Sequence, residues 1–108
     1  VNSVGLNLQD ENGQTALMFA VVASESAQSL RVVRMLLENP VNVNVKDKHG
    51  NTALMLAAMT GVTDAVELLL VQEGERAVDK DTKDKTGQTA LGLARTQGPE
   101  AIVQLLLK

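Results

Sequence analysis

The residues that could carry out hydrolytic chemistry are a serine-rich stretch and a single histidine. Ser24, Ser26 and Ser29 could supply a nucleophile, and His49 is the one histidine that could act as its base. A serine nucleophile needs such a base within hydrogen-bonding reach. His49 belongs to a different segment of the chain from the three serines. We therefore interpret His49 as an exposed polar residue of a turn.

Two groups of carboxylates are candidates for acid–base or calcium chemistry. Glu73 and Glu75 share a charged loop with Arg76, which is more typical of solvated charges than of a paired acid and base. In the next segment carboxylates alternate with lysines, in the order Asp79, Lys80, Asp81, Lys83, Asp84 and Lys85. A calcium loop needs more carboxylates and fewer lysines. The sequence therefore predicts no catalytic residue, no metal site and no cofactor.

The composition excludes several further classes of function. The chain has 108 residues, no cysteine, one aromatic residue (Phe19) and a net charge of −3. The absence of cysteine excludes disulfides, a thiolate nucleophile and a cysteine-based zinc site. The scarcity of aromatic and basic residues argues against nucleic-acid binding. No apolar run approaches the roughly 20 residues that span a bilayer, so we expect a soluble protein of the cytoplasm or nucleus, without membrane insertion.

One string of residues occurs three times and organises the whole chain. The string D-x-x-G-[QN]-T-A-L spans residues 10–17, 47–54 and 84–91. Its glycines, Gly13, Gly50 and Gly87, are spaced 37 residues apart. Recurrence at one fixed period indicates a repeat array, in which each repeat is one small structural unit.

Each copy of the string is followed by the pattern of two helices. Leu54, Ala57 and Ala58 fall at positions i, i+3 and i+4, which is the spacing of one helix face. Gly61 and Gly98 are typical of the end of such a helix. A second apolar segment follows in each copy, over residues 32–37, 65–70 and 102–107. We expect these second helices to bury three equivalent leucines in the core: Leu36, Leu69 and Leu106.

Polar residues at the ends of these helices support the same interpretation. Asp47 and Asp84 precede a glycine by three residues, which favours a turn closed by the aspartate side chain. The pair Asn39-Pro40 should end the first long helix, because the residue before proline avoids the helical region. We interpret three methionines as packing residues: Met18, Met35 and Met55. Threonines occupy the expected N-cap positions: Thr15, Thr52 and Thr89.

These residues together resemble the ankyrin repeat, D-x-x-G-x-T-P-L-H-x-A-A-x-x-G-x-x-x-V-V-x-L-L-L. The resemblance covers the chain from about Val4 to Lys108, and it implies an all-α repeat solenoid of about three repeats. The chain departs from the pattern at two positions. The proline is replaced by Ala16, Ala53 and Ala90. The histidine, which in the family joins a hydrogen-bond network between repeats, is replaced by Met18, Met55 and Gly92.

The resemblance also implies the boundaries of the repeats within a single ankyrin domain over residues 1–108. Residues 1–9 match the tail of a preceding repeat, and repeats follow over 10–46, 47–83 and 84–108, the last truncated at its C-terminal end. Because the usual period is about 33 residues, the first two repeats carry insertions, around residues 23–29 and 71–82. Residues 41–45 alternate like a strand, but we expect them to form a linker.

The resemblance implies a non-catalytic module that binds another protein or a peptide. In the family the hairpin tips and the short inner helices form a concave binding face. Because Gly92 lies inside one of these helices, we expect the third repeat to be the least stable. Asn44 occupies a linker position at which the asparagine is hydroxylated in some members of the family. Carried over position by position, the predicted binding residues are Glu11, Asn12, Gln14, Val22, Lys48, His49, Asn51, Met59, Thr60, Lys85, Thr86, Gln88, Thr96 and Gln97.

A second interpretation assigns the chain a structural role. The C-terminal helix lacks an obviously polar outer face, although the ends of a solenoid need polar caps. The chain would then be a spacer or anchoring segment of a longer ankyrin solenoid. Self-association through the exposed ends of the solenoid is a further alternative.

Overall fold

The computed structural model describes residues 8–23, 27–39, 41–72 and 77–107. This part of the chain contains six α-helices and no strand, so the expected linker at 41–45 is confirmed. The helices are α1 (Ala16–Val22), α2 (Ala27–Leu37), α3 (Ala53–Thr60), α4 (Thr63–Leu70), α5 (Ala90–Gln97) and α6 (Glu100–Leu107).

The six helices form three consecutive pairs arranged in two layers. Helix α3 packs between α1 and α5, and α4 packs between α2 and α6. Each inner helix also packs against the outer helix that follows it in the chain. The predicted all-α solenoid of three repeated units is therefore confirmed. Its ends lie in the first and third pairs, which each contact one neighbouring pair within the described residues.

Threonine side chains begin all three inner helices, as predicted. The Oγ1 atoms of Thr15, Thr52 and Thr89 accept hydrogen bonds from backbone N–H groups three residues later, over 3.3, 3.4 and 3.3 Å. The first amides of a helix have no partner within the helix, so each bond satisfies an otherwise unpaired donor. The three caps therefore give each inner helix the same starting point beside its turn.

Small residues allow the inner helices α3 and α5 to approach closely. Ala57, Ala58 and Ala94 are fully buried in the core. A Cβ atom on Gly98 would lie 2.5 Å from the Ala58 carbonyl oxygen. Only glycine fits at this position, because the backbone of α3 occupies the space that a side chain would need.

The packing of the outer helix α2 corrects two of the predicted core positions. Met35 is 61% exposed, so it is not a packing residue, whereas Met18 and Met55 are buried as predicted. Helix α2 turns Val33 and Leu37 towards the core. At about 100° per residue, Met35 lies roughly 200° around the helix from Val33 and therefore faces away.

The same orientation leaves Leu36 only partly buried, whereas the equivalent leucines Leu69 and Leu106 lie in the core. Helix α2 ends at Leu37, two residues before Asn39, whose side-chain amide donates a 2.7 Å hydrogen bond to the Met35 carbonyl.

Several residues named above lie outside the described residues: 1–7, Ser24, Ser26, Pro40, Glu73, Glu75, Arg76 and Lys108.

Candidate functional site

Each of the three turns is closed by its aspartate side chain. In the second turn, Oδ1 of Asp47 accepts hydrogen bonds from the N–H groups of His49 and Asn51, both over 2.9 Å. Asp10 and Asp84 make the same pair of bonds in the first and third turns. Because the aspartate is turned towards the backbone, the next two side chains of each turn are exposed: Glu11 and Asn12, Lys48 and His49, and Lys85 and Thr86.

Neighbouring turns are joined through their backbones into one row. The N–H of Lys48 donates to the Asn12 carbonyl over 2.9 Å, and the N–H of Lys85 donates to the His49 carbonyl over 3.1 Å. The glycine at each junction has a positive φ, +78° at Gly13 and +81° at Gly50. A Cβ atom on either glycine would lie 2.9 Å from the backbone nitrogen of the next turn. Glycine is thus required both by the conformation and by the contact.

Each turn tip has three predicted binding residues, and the third of them is less accessible than the first two. Gln14, Asn51 and Gln88 are all half-buried. The side-chain amide of Gln14 lies 3.4 Å from Oδ2 of Asp47 in the next turn. This residue therefore helps to hold two turns together and presents only part of its side chain to a partner.

The C-terminal ends of the inner helices form a second group of exposed residues. Val22, Thr60, Thr96 and Gln97 are exposed, whereas Met59 is partly buried against the core. The Thr60 hydroxyl donates to the Leu56 carbonyl over 2.9 Å, and the Thr96 hydroxyl donates to the Gly92 carbonyl over 3.2 Å. Both hydroxyl protons are therefore used within the helix, and their oxygens remain available as acceptors.

An exposed aromatic residue on α1 was not among the predicted binding residues. Phe19 is 56% exposed, whereas the equivalent residues Leu56 and Leu93 are 8% and 2% exposed. Phe19 and Val22 are three residues apart on α1 and so lie on neighbouring positions of one face. Val22 and Phe19 therefore form one exposed apolar spot on α1, whereas Met59 of α3 is half-buried. Phe19 also lines an apolar groove of about 400 Å³ between α1 and α2, together with Ala20 and Val32.

The structure places the tips and the helix ends at opposite ends of the inner layer. In α3 they are separated by residues 53–58, all of which are buried. Between the two groups, α1 exposes the apolar side chain of Phe19 and α5 exposes Arg95. The predicted residues therefore form two rows, one along the turns and one along the helix ends.

The charges of the tip row change along the array. Equivalent positions carry Glu11 in the first turn and Lys48 and Lys85 in the second and third. In the third turn, the Thr86 hydroxyl donates a 2.7 Å hydrogen bond to the Asp84 carboxylate. This bond, with the backbone N–H of Gln88, lowers the pKa of Asp84 below its usual value. The third turn is thus built around an ionised aspartate.

Within residues 8–23, 27–39, 41–72 and 77–107, no three His, Asp or Glu side chains are grouped so that they could hold a metal ion. In the same residues, no helix combines the length and the apolar character needed to cross a membrane.

Asn44, the position that is modified in some ankyrin proteins, joins two linkers through its side chain. Its amide donates a hydrogen bond to the Ala77 carbonyl over 3.1 Å, and its carbonyl oxygen accepts one from the Asp79 N–H over 2.8 Å.

Comparison with known families agrees with the geometry of the turns and helix pairs. A family model described as ankyrin repeats (3 copies) matches residues 21–108. Comparison with curated proteins gives no match. The family match covers most of the chain and includes all of the second and third repeats. The chain therefore belongs to the ankyrin repeat family.

Proposed function

We propose that this chain is a non-catalytic module that binds another protein or a peptide through its turn tips and the exposed ends of its inner helices. Ankyrin repeats are generally protein–protein interaction modules and are typically non-catalytic. They are commonly intracellular, and the proposal assigns the module to the cytoplasm or nucleus. The proposal rests chiefly on the row of three turns, whose backbones are joined to each other.

The rigidity of this row favours a binding role. Each tip is held by hydrogen bonds from the backbone to its own aspartate and, at two junctions, to the next turn. A surface that is already ordered loses little conformational entropy when a partner binds. The backbone positions from which Lys48, His49 and Lys85 extend are therefore fixed relative to each other before a partner binds.

The helix-end row supplies a different kind of contact. Phe19 and Val22 expose apolar surface beside hydroxyl and amide groups at Thr60, Thr96 and Gln97. Buried aromatic residues often dominate the energy of an interface. We therefore add Phe19 to the predicted binding residues and expect it to be the strongest single contributor among them.

The second candidate function is that of a structural segment of a longer solenoid. It is favoured by apolar residues that are exposed in the outer repeats, Phe19 in the first and Leu107 in the third. Of their equivalents in the second repeat, Leu56 is buried and Leu70 is partly buried. Further repeats, or further copies of this chain, would cover the outer residues in the same way.

Capture from a cell lysate with mass-spectrometric readout tests the binding proposal. The variant Val22→Arg/Thr60→Arg adds two positive charges to the helix-end row. The control Ala101→Arg/Gln104→Arg adds two charges to exposed positions of α6, on the opposite layer. Thermal unfolding of both variants first establishes that they are folded.

The expected result is a set of proteins held by the original chain and the α6 control and lost by the Val22/Thr60 variant. A protein found in this way would then be purified and its affinity for the three chains measured. If all three chains capture the same proteins, the helix-end row is not part of the binding surface. If none captures any, the binding proposal is wrong and the structural role is favoured.

A further inference from the structure

Two adjacent turns carry the same pair of exposed lysines. Lys46 and Lys48 flank Asp47 in the second turn, and Lys83 and Lys85 flank Asp84 in the third. All four lysines are exposed. Within the described part of the chain, none of their side chains has an ion pair or a hydrogen bond. These four lysines, here called the lysine patch, are therefore available to a partner.

The aspartates between the lysines accept hydrogen bonds within their own turns, and Asp47 is buried whereas Asp84 is partly exposed. Asp47 is buried, and its Oδ1 accepts two backbone N–H groups while Oδ2 lies near the Gln14 amide. Oδ1 of Asp84 accepts the N–H groups of Thr86 and Gln88 and the Thr86 hydroxyl. The carboxylates close the turns, and the lysine ammonium groups are what the tips present.

The two turns of the lysine patch are in direct contact. The Lys85 N–H donates to the carbonyl of His49, the residue that follows Lys48. On the side of the first turn, the patch is bounded by different chemistry. The equivalent positions of the first turn are Gln9, whose amide donates to the Gly13 and Lys46 carbonyls, and the acidic Glu11.

We propose that the lysine patch binds an acidic protein segment, an extended stretch rich in aspartate and glutamate. This assignment rests on the proposed function, of which it names the partner chemistry. Lysine is a compact point charge that attracts carboxylates without fixing one geometry. The acidic residues beside the patch, Glu11, Asp79 and Asp81, repel such a segment and so limit where it lies.

A nucleic acid fits the patch less well than an acidic protein segment. The chain carries a net charge of −3 and one aromatic residue, so it lacks both the broad positive surface and the stacking residues that nucleic acids require. The proposed segment needs only a few carboxylates over two neighbouring turns. A local patch on an acidic protein supplies that contact.

The test is a titration of the 15N-labelled chain followed by NMR. The probes are a synthetic peptide of alternating Glu and Ser, the matching Gln and Ser peptide, and a single-stranded oligothymidylate. The acidic peptide is expected to shift the amide signals of residues 46–51 and 83–88. Binding should weaken as salt is added, because the Debye length falls to roughly 10 Å at 0.1 M.

Three variants test whether the lysines are responsible. Lys48→Gln/Lys85→Gln is expected to weaken peptide binding on the order of tenfold, given the usual strength of two exposed ion pairs. Arg31→Gln/Arg34→Gln removes two positive charges from exposed positions of α2 and should leave binding unchanged. Glu11→Lys extends the patch into the first turn and should strengthen binding.

Several outcomes would overturn the assignment. The acidic peptide could fail to bind, the Gln peptide or the oligothymidylate could shift the same turns equally, or the arginine variant could lose as much affinity as the lysine variant. Failure here leaves the broader proposal testable, because the Val22/Thr60 capture experiment does not alter the lysine patch. If capture depends on Val22 and Thr60 while the acidic peptide does not bind, only the partner chemistry is wrong.

Discussion

The second and third repeats contain the same string of residues but differ in how deeply they bury it. Leu54 and Met55 are buried in the second repeat, whereas the equivalent residues of the third, Leu91 and Gly92, are half-buried. Helix α3 packs against inner helices on both sides, and α5 packs against one within the described residues.

The local structure of the two repeats is nevertheless the same. Thr52 and Thr89 cap their helices through the same bond, and Asp47 and Asp84 close their turns in the same way. Bonds between residues at most four positions apart need no neighbouring repeat. Burial of the inner-helix face does need one, which is why the stability of a repeat depends on its neighbours.

The largest expected effect comes from shortening a core leucine in the outer layer. Leu69→Ala should lower the free energy of unfolding by about 2–5 kcal/mol, because Leu69 is fully buried in α4. Leu106→Ala, at the equivalent position of α6, should cost less because Leu106 retains some exposure. Urea denaturation of both variants measures the difference. A larger loss for Leu106→Ala would contradict the comparison, and no loss for Leu69→Ala would show that the register of α4 is wrong.

Replacing the turn glycines with alanine separates two contributions to the loss of stability: the strained backbone conformation and the clash with the next turn. Gly50 and Gly87 have φ angles of +81° and +87°, so alanine should cost either turn about 1–2 kcal/mol. At Gly50 the added Cβ would also lie 2.9 Å from the Lys85 nitrogen, whereas at Gly87 nothing lies within 4 Å. Gly50→Ala should therefore cost roughly 1–3 kcal/mol more. Equal losses in thermal unfolding would show that the second and third turns are not in close contact.

Two further glycines lie in or beside α5, and alanine should have opposite effects on them. At Gly92 the nearest atoms to an added Cβ are 3.8 Å away, so Gly92→Ala should stabilise the helix by about 0.5–1 kcal/mol. At Gly98 the Cβ would lie 2.5 Å from the Ala58 carbonyl oxygen, so Gly98→Ala should destabilise the protein. Differential scanning calorimetry measures both shifts in Tm. If Gly92→Ala lowers Tm, the third repeat is not limited by helix propensity.

The smallest expected effect concerns the Asp84 carboxylate. Removing the hydroxyl in Thr86→Ala should raise the pKa of Asp84, because the hydrogen bond from Thr86 is the main cause of its lowered pKa. Because the pKa of Asp84 is lower in the folded protein than its unfolded value near 3.8, the ionised carboxylate stabilises the fold at a pH above 3.8. That contribution is lost as the pH falls through the folded pKa. The variant should therefore lose less stability on acidification. An NMR titration of the Asp84 carboxyl carbon checks the direction, and an unchanged pKa would contradict it.

The sequence-based predictions of burial fail at residues whose exposure depends on how the helices pack together. Met35 was predicted to pack but is exposed, because the orientation of α2 follows Val33 and Leu37. Phe19 is exposed although its repeat equivalents are buried, because within the described residues α1 packs against an inner helix on one side only. A helix pattern identifies an apolar residue but does not identify which neighbour will cover it.

The sequence by itself determined the repeat, the three threonine caps and the aspartate turns, because each depends on bonds between residues that are close in the chain. Tertiary structure alone decided the close contact of α3 with α5 at Gly98, the joining of adjacent turns and the exposure of Phe19. These features depend on the distance between repeats, which is set by packing of side chains far apart in sequence. The proposed binding surface combines both, since local bonds shape each tip and stacking brings the tips together.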